Sequence, residues 1–481
     1  MIKFFVLILL FSVNNIAANN LLLQSLNAAI SEATKVLNLL SNTNNNNIHE
    51  KQMGTIQDCN ELYQITLSSL NESLVQLTPA PYDPDNLADA RDYLAAAATN
   101  ADTCLEGLET AYGPLKQILV DTIIKANNHV TDSLSLLSSE TRRTAKYEAG
   151  PPKWFYRKDG KKFISWSNRI TVAADGSGNF TTITDAVNYA PNNSARKVVI
   201  YIKRGLYKEN VVIPKNKPNI VLLGEGRDVT LISGNRSTVD GWTPFRSATV
   251  GVSGPRFVAR DIGFYNTAGP TKHQAVALRI SANLVAFYRC TISGYQDTLY
   301  VHSFKQFFRE CNIFGTIDYI FGNAAVVFQK CNIVSKLPMP NQFIVITAQS
   351  RNSSEHHTGI AFKNCRILAT KDLNNSTSVV KSYLGRPWRP YARAVIIESY
   401  IDNFIDPKGW IPWSGDQDQG QGLDKLYYGE YENFGPGSSL QGRVTWPGHH
   451  IMDYHQACKF NVSKFINARK WLKSTSIPYD D

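Results

Sequence analysis

Two aspartates lie at equivalent positions of a repeating sequence pattern and could form a catalytic pair. Asp297, in GYQDTLY, follows Cys290 by seven residues, and Asp318, in GTIDYIFG, follows Cys311 by seven residues. Neighbouring parallel strands lie about 4.8 Å apart, so stacked repeats would bring the two carboxyl groups almost into contact. Both carboxyls cannot ionise freely at that distance, so we expect one pKa to rise while the other stays low. The pattern predicts catalytic carboxyls, although aspartate ladders also cap turns in solenoids.

The residues around the aspartates favour an open sugar-binding face over a sealed turn. Gln296 directly precedes Asp297. The flanking aromatic residues are Tyr295, Tyr300, Tyr319 and Phe321. Amides and rings of these types suit contact with a sugar better than burial inside a turn.

A repeated β unit must position the aspartates. The six-residue pattern at 287–292 recurs at 308–313, 328–333 and 362–367, with a serine variant at 396–401 and a looser copy at 257–262. Successive copies begin 21 and then 20 residues apart. Apolar residues alternate with polar ones inside each copy, which is strand periodicity. A β unit that recurs at this period predicts a right-handed parallel β-helix with one coil per repeat.

Further strand patterns extend this solenoid from Ile170 to about Trp446. Short apolar β runs occur at 198–202, 220–223 and 229–232 and are separated by Gly and Asn turns. We expect a short helix at 182–190 to cap the first coil, whose core would otherwise be exposed. A second helical stretch, at 457–472, should pack on the outside.

The front of the chain has helical periodicity instead. Between residues 20 and 137, apolar residues recur at spacings of three and four, as at Leu70, Leu74 and Leu77 and again at Leu115 and Ile118. This periodicity predicts an all-α four-helix bundle. Cys59 and Cys104 stand in helical surroundings, and we expect them to form a disulfide.

A targeting signal precedes this helical region and a linker follows it. Residues 1–18 have the pattern of a secretory signal peptide, with an apolar run too short to span a bilayer. The product should therefore be secreted, soluble and not a membrane protein; eight Asn-x-Ser/Thr sequons fit that route. Residues 141–167 are basic and rich in turn signals, which predicts an exposed linker whose basic pairs are either a processing site or merely solvated.

Seven cysteines leave at least one thiol free in an oxidising compartment. Cys290, Cys311 and Cys331 should stack on consecutive coils, with Cys365 on a later one, and any adjacent pair could bridge. No Cys-x-x-Cys or paired His–Cys spacing occurs, so we expect no metal and no cofactor.

Charge differs sharply between the two regions. Residues 19–149 contain 8 Lys/Arg and 16 Asp/Glu, a net charge of −8, and the chain from residue 150 onward has a net charge of +17. This split suggests that the front region docks on the back region and that the back region binds a polyanion. A secretory signal makes an acidic polysaccharide a better ligand than nucleic acid.

Five motifs, in order, resemble those of plant pectin methylesterases: GLYKE (205–209), QAVAL (274–278), GYQDTLY (294–300), GTIDYIFG (315–322) and LGRPW (384–388). The resemblance covers roughly 168–455 and implies a β-helix domain at 168–481. This domain would hydrolyse the C6 methyl esters of homogalacturonan (methylated pectin) in the cell wall. Segments 58–59 and 102–106 resemble the inhibitor-like pro-region of these enzymes, which implies a helical inhibitor domain at 19–140. We expect a monomer.

The resemblance also assigns roles to particular residues. Asp318 resembles the nucleophile and Asp297 the proton donor. Gln296 and Gln274 resemble the groups that stabilise the oxyanion of the transition state. Residues that would hold the nucleophile and the substrate are Arg386, Trp388, Phe245, Tyr300, Phe321 and Trp413.

Three other functions remain open from the sequence. A glycosidase on the same scaffold would also use paired carboxylates. A calcium-dependent lyase would need an acidic nest, for which Asp416, Asp418 and Asp424 are the best candidates, although this stretch resembles a surface turn. A non-catalytic wall-binding or inhibitor protein would not require Asp297, Asp318 and Arg386 together.

Overall fold

A computed structural model of the protein describes residues 2–43, 48–78, 83–144, 169–414 and 422–481. The chain divides into two compact units, of which the first contains four long helices and the second contains the β-strands. The predicted linker at 141–167 lies almost wholly outside the described residues. Its first residues continue a helix through Thr144, so the helical region extends past the predicted boundary at 140.

The front unit has the four helices that the periodicity predicted. They are α1 (Ile2–Ser41), α2 (Thr55–Leu77), α3 (Pro84–Leu108) and α4 (Pro114–Thr144). The predicted disulfide between Cys59 and Cys104 is confirmed and joins α2 to α3. The predicted apolar face is wrong at Ile118, which is exposed on α4 while its neighbour Leu119 is buried. Among the described residues, no helix combines the length and the apolar character that a membrane crossing would need.

The second unit is a parallel β-helix whose described part has three parallel sheets. The eleven-stranded sheet consists of β1 (Ile170–Val172), β2 (Val198–Ile202), β5 (Ile220–Leu223), β8 (Val258–Arg260), β11 (Val285–Tyr288), β14 (Lys305–Arg309), β17 (Ala325–Gln329), β20 (Gly359–Lys363), β23 (Arg393–Ile397), β25 (Tyr427–Tyr431) and β26 (His449–Ile451). The seven-stranded sheet consists of β4 (Val211–Ile213), β7 (Val250–Val252), β10 (Leu278–Ile280), β13 (Leu299–Val301), β16 (Ile320–Gly322), β19 (Ile344–Gln349) and β22 (Ser382–Pro387). The eight-stranded sheet consists of β3 (Gly205–Lys208), β6 (Thr230–Gly234), β9 (Gly263–Asn266), β12 (Thr291–Ser293), β15 (Asn312–Gly315), β18 (Asn332–Ser335), β21 (Arg366–Ala369) and β24 (Tyr400–Ile401).

The repeat read from the sequence sets the register of the coils. Phe287, Phe308, Phe328 and Phe362 pair in succession across the eleven-stranded sheet. Their rings stack in the core with centroids 4.7, 4.7 and 5.2 Å apart. Each coil therefore places the same residue type over the one below, and the repeat boundaries are confirmed.

The stacked cysteines do not bridge. Cys290, Cys311, Cys331 and Cys365 are all buried and free. Each of the last three thiols contacts a main-chain carbonyl of the preceding repeat: Cys311 Sγ lies 3.7 Å from Phe287 O, and Cys331 Sγ lies 3.5 Å from Phe308 O. The expectation that adjacent members could bridge is wrong, because in-register stacking directs each sulfur to the backbone.

Short helices cover the solenoid at two places. The predicted cap is α5 (Ile183–Tyr189), whose first turn is capped by Thr182 and whose buried residues join the core of the first coil. A second short helix, α6 (Lys371–Asn374), follows β21 and buries Leu373 in the same core.

The tail packs against the outer face of the eleven-stranded sheet, as expected, but it is not one helix. It is broken into α7 (Tyr454–Ala457), α8 (Val462–Phe465) and α9 (Ala468–Trp471), with 3₁₀ turns at Cys458–Phe460 and Leu472–Thr475. Asn467 adopts a left-handed conformation with φ of 49°, which ends helical progression there.

Candidate active site

The two aspartates occupy the predicted equivalent positions. Asp297 precedes β13 and Asp318 precedes β16, and the strands pair Leu299 with Ile320 and Tyr300 with Phe321. Both aspartates adopt left-handed backbone conformations, with φ of 61° and 49°. Such conformations are uncommon outside glycine, although Asp tolerates them, and here they recur at other turns of the solenoid, as at Arg289 and Glu310. Both residues are buried, with exposed fractions of 9% and 5%.

Arg386 reaches Asp318 from two strands further along the seven-stranded sheet. Its Nε donates to Asp318 Oδ1 at 2.9 Å and its Nη2 donates to Oδ2 at 2.5 Å. Its Nη1 donates to the carbonyl of Trp413 at 3.3 Å. The guanidinium therefore holds the carboxylate with both oxygens, in the geometry that arginine provides and lysine does not.

Burial and charge set the pKa values of the pair. Burial and then the charge of Asp318 raise the pKa of Asp297 well above its usual value, and Arg386 only partly opposes this. Burial also raises the pKa of Asp318, against the opposing effect of the Arg386 guanidinium. The expectation that the second pKa stays low is wrong, because the desolvation of a fully enclosed carboxyl outweighs the ion pair. Asp297 is still the carboxyl whose pKa is raised by its neighbour's charge.

The two glutamines lie on the turns beside the aspartates. The main-chain oxygen of Gln296 accepts from the N–H of Ala275, 3.2 Å away, which ties the turn of Asp297 to the residue after Gln274. Gln274 Oε1 accepts from the hydroxyl of Thr238 at 2.8 Å. That bond fixes the amide orientation so that its NH₂ group points away from Thr238.

The five aromatic residues named from the sequence form a continuous row. Phe245 contacts Tyr300 edge-on at 6.4 Å, and Tyr300 stacks on Phe321 at 4.2 Å. Phe321 lies 6.1 Å from Trp388, which stacks with Trp413 at 6.3 Å. The first three rings are almost fully buried, whereas Trp413 is 39% exposed. The phenyl and tyrosyl rings therefore support the site, and the tryptophans offer a ring surface to a ligand.

A register row that sequence reasoning missed runs through the site. Arg279, Tyr300, Phe321, Ala348 and Arg386 are paired in succession on the seven-stranded sheet. The Arg279 guanidinium lies 3.5 Å from the centroid of the Phe245 ring. Only the register of five coils reveals this row, because the loops between its members differ in length.

Gly251 makes room for this buried arginine. A Cβ at Gly251 would lie 2.7 Å from Nη2 of Arg279, so any larger residue would displace the guanidinium. Arg279 Nη1 also donates to Ser281 Oγ at 2.9 Å. No sequence motif distinguishes Gly251, which lies in β7, from the glycines of the turns.

Lys336 is a second residue that the sequence did not identify. Its ammonium group lies 3.5 Å from the centroid of the Tyr295 ring and donates to the carbonyl of Gly294 at 3.0 Å. Burial lowers the pKa of Lys336 to about 8. The main-chain N–H of Lys336 donates to the carbonyl of Gly315 at 2.8 Å. The lysine therefore contacts both motifs that carry the aspartates, GYQDTLY through Gly294 and GTIDYIFG through Gly315.

No group of three or more His, Cys, Asp or Glu in the part of the chain that the structure describes could hold a metal ion. Asp416 and Asp418, two of the three acidic residues considered for calcium, lie outside the described residues.

Two family models match the chain, one to each unit. A pectinesterase model matches residues 169–469, and a plant invertase/pectin methylesterase inhibitor model matches residues 11–137. A probable pectinesterase/pectinesterase inhibitor of Arabidopsis thaliana is 55% identical over 97% of this chain and 89% of its own length. Pectinesterase/pectinesterase inhibitor PPE8B of Prunus persica is 44% identical over 95% of this chain and 88% of its own.

Solved structures resemble the β-strand unit. Carrot pectin methylesterase is 49% identical, with a TM-score of 0.64 over 66% of this chain and 99% of the carrot chain. An Aspergillus niger pectin methylesterase is 33% identical, with a TM-score of 0.55 over 65% of this chain and 98% of its own. With matched motifs, matched fold and both family models in agreement, the chain belongs to the pectinesterase family of carboxylic ester hydrolases and carries an inhibitor-family region in front.

Proposed function

We propose that this chain hydrolyses the C6 methyl esters of homogalacturonan, releases methanol and leaves de-esterified pectin in the cell wall. The observation that carries the proposal is the Arg386–Asp318 pair, one coil from the buried Asp297 and beside the tryptophans. Several relatives with the same two regions are named as pectinesterases, and solved pectin methylesterases share the fold.

Asp318 is the nucleophile in this proposal. Its carboxylate, held by Arg386, attacks the ester carbonyl and forms a C–O bond, and the carbonyl electrons move to oxygen. The NH₂ groups of Gln274 and Gln296 donate to that oxyanion. Removing one such donor from a preorganised hole typically costs about 10²–10³ in rate.

Asp297 supplies and then recovers the proton. Its raised pKa keeps a proton on the carboxyl, and it gives that proton to the departing methoxide, so that methanol leaves and an acyl-enzyme on Asp318 remains. Asp297 then accepts a proton from water as the hydroxyl oxygen attacks the acyl carbon. The bond to Asp318 breaks, which frees the nucleophile as a carboxylate and leaves a galacturonic acid carboxyl that releases its proton to solvent.

The remaining residues bind the polysaccharide. Trp388 and Trp413 stack on sugar rings, and the buried Phe245, Tyr300 and Phe321 hold the floor of the site. The net charge of +17 after residue 149 suits an anionic polymer that becomes more acidic as it is de-esterified. Secretion through the segment at 1–18 would bring the enzyme to this substrate.

The test replaces the nucleophile by its amide isostere. Asp318→Asn should reduce methanol release from methylated pectin at least about a thousandfold, because an amide oxygen is a poor nucleophile. The matched control is Asp261→Asn, which removes another left-handed aspartate held by an arginine, with both Arg289 bonds at 2.8 Å, outside the site.

Three measurements decide between the functions. Methanol release measures ester hydrolysis, solution viscosity reports chain cleavage, and circular dichroism checks the fold. Activity of Asp318→Asn within tenfold of the wild type would overturn the assignment of the nucleophile. A fall in viscosity without methanol release would indicate a glycosidase or a lyase instead.

A further inference from the structure

Residues 409–413 run alongside the strand that carries Arg386. Trp410 forms a parallel bridge with Gly385, and the N–H of Leu384 donates to the carbonyl of Gly409 at 2.7 Å. The N–H of Ile411 donates to the carbonyl of Gly385 at 3.2 Å. The segment therefore contacts β22 on the residue directly before Arg386.

The same segment also contacts the Arg386 side chain. The Trp413 carbonyl accepts from Arg386 Nη1, and the guanidinium carbon lies 4.3 Å from the centroid of the Trp413 ring. The backbone and the side chain of Arg386 thus both depend on where residues 409–413 lie.

The Trp410 indole is packed directly against the backbone of β22. It is among the largest side chains that are fully buried, and a Cβ at Gly385 would lie 3.0 Å from its ring. The ring also stacks on Tyr428, with centroids 4.2 Å apart. Burial and then the charge of Asp318 raise the pKa of the Tyr428 phenol, and Arg386 opposes this, so the phenol lies within electrostatic range of both groups.

Glu430 accepts a hydrogen bond from the indole of Trp410. Trp410 Nε1 donates to Glu430 Oε1 at 3.1 Å, and the carboxylate is also held by Arg443 Nε at 3.0 Å and by His449 Nε2 at 3.2 Å. Glu430 is almost completely buried. A buried ion pair contributes little net stability compared with apolar residues of the same volume, so stability alone does not account for it. Its geometric consequence is that the indole N–H, the Arg443 guanidinium and the His449 ring meet at one carboxylate.

We infer that Trp410 is a positioning residue for ester hydrolysis, which Glu430 fixes and which in turn holds Arg386 in its two-bond contact with Asp318. The inference rests on the proposed role of Asp318 as nucleophile. Trp410 is fully buried and touches no substrate, so its effect must appear in turnover and in the ionisation of Asp318 rather than in substrate binding.

The direction of the pH effect follows from the groups around Asp318. These groups are Asp297, Arg386 and Tyr428, and only the guanidinium favours the ionised form. Loosening Arg386 would therefore raise the pKa of Asp318 further. The acid limb of the pH profile, below which the nucleophile is protonated, would then move to higher pH.

The experiment compares two identical substitutions in the full chain. Trp410→Phe deletes the N–H that donates to Glu430. Trp471→Phe is the matched control, because Trp471 is also buried and its Nε1 donates to the carbonyl of Ile466 at 2.9 Å, in the tail cluster outside the solenoid. Methanol release from methylated pectin is measured from pH 4 to 9, together with the melting temperature of each variant.

We expect Trp410→Phe to lower kcat about tenfold at neutral pH, with KM within about twofold, and to move the acid limb upward by about half a unit or more. Trp471→Phe should lower the melting temperature alone. A Trp410→Phe variant with the wild-type kcat and acid limb would overturn the inference, as would equal shifts in both variants.

A second variant covers the case in which Trp410→Phe does not fold. Glu430→Gln conserves volume and an acceptor for the indole but removes the charge that organises Arg443 and His449. A folded Glu430→Gln variant should show the same upward shift of the acid limb, and an unshifted limb overturns the inference. If Trp410→Phe and Glu430→Gln both release methanol with the wild-type rate and pH profile, only the inference is contradicted. Near wild-type activity of Asp318→Asn would contradict the proposed function.

Discussion

Replacing Arg386 should move the acid limb of the pH profile by about two units. The side chain makes two charge-assisted bonds to Asp318, at 2.9 and 2.5 Å, and both partners are largely buried. Leaving one member of a buried pair without its partner costs about 3–5 kcal/mol. In Arg386→Ala the uncompensated group is the nucleophile, which can escape this cost by taking up a proton.

The size of the shift follows from that cost. One pKa unit corresponds to about 1.4 kcal/mol, so a loss of about 3 kcal/mol raises the pKa of Asp318 by about two units. Burial already raises this pKa, and Arg386 is the group that opposes the rise. Arg386→Lys restores a positive charge without the planar fork and without the stacking on Trp413, so about half of the shift should remain.

The assay measures initial rates of methanol release from methylated pectin between pH 4 and 9 for the wild type and both variants. Arg289→Ala is the control, since Arg289 makes the same two-atom contact with Asp261, at 2.8 and 2.8 Å, outside the site. The reasoning fails if the acid limbs of Arg386→Ala and Arg386→Lys both stay within half a unit of the wild type while the rate is measurable. If Arg289→Ala moved the acid limb by the same amount, the cause would be the loss of one positive charge anywhere in the protein and not the loss of the Arg386 contact.

Three further predictions concern other parts of the chain. Asp297→Asn should lower methanol release about 10²–10⁴-fold and abolish the alkaline limb, because the raised pKa of Asp297 marks where the general acid is lost; an unchanged alkaline limb contradicts this. The pKa of Lys336 falls from 10.5 to about 8 on folding, so between pH 8 and pH 10.5 the unfolded chain holds a proton that the folded chain has lost. The free energy of unfolding should therefore rise with pH across this range, by at most about 3 kcal/mol. Urea unfolding of Lys336→Met should not show this rise. The isolated 163–481 piece should be more active than the full chain, and a folded 19–149 fragment should inhibit it at low salt and less at high salt; no inhibition at low salt would leave the front region as a folding or trafficking aid.

The coils could be read from the sequence because their signal is local. Strand periodicity and the spacing of Phe287, Phe308 and Phe328 fix the register within each repeat, and the structure pairs these residues as expected. The same register placed Asp297 and Asp318 together without any knowledge of the loops. Contacts that depend only on the spacing between equivalent residues of successive repeats were therefore predictable.

Contacts that depend on side-chain direction or on the register of several coils could not be predicted from the sequence. The thiol of Cys311 lies against a main-chain carbonyl and forms no disulfide with its neighbours, and this depends on the side-chain rotamer. The pKa of Asp318 depends on how completely its surroundings exclude water, which sequence spacing does not give. Glu430 meets Trp410 across a stretch of chain without repeats, so no period connects them.

In the proposed mechanism, the distinct roles of the two aspartates come from a third coil rather than from the pair. Asp297 and Asp318 are the same residue type, at the same coil position, with similar backbone conformations. Ala348 lies in register between Phe321 and Arg386, and it is small. The long side chain of Arg386 can therefore extend back across that coil and contact Asp318, one coil before it reaches Asp297. A regular stack of strands thus gives one carboxyl a guanidinium partner and the other a like charge. In the proposed mechanism, that difference separates a nucleophile from a proton donor.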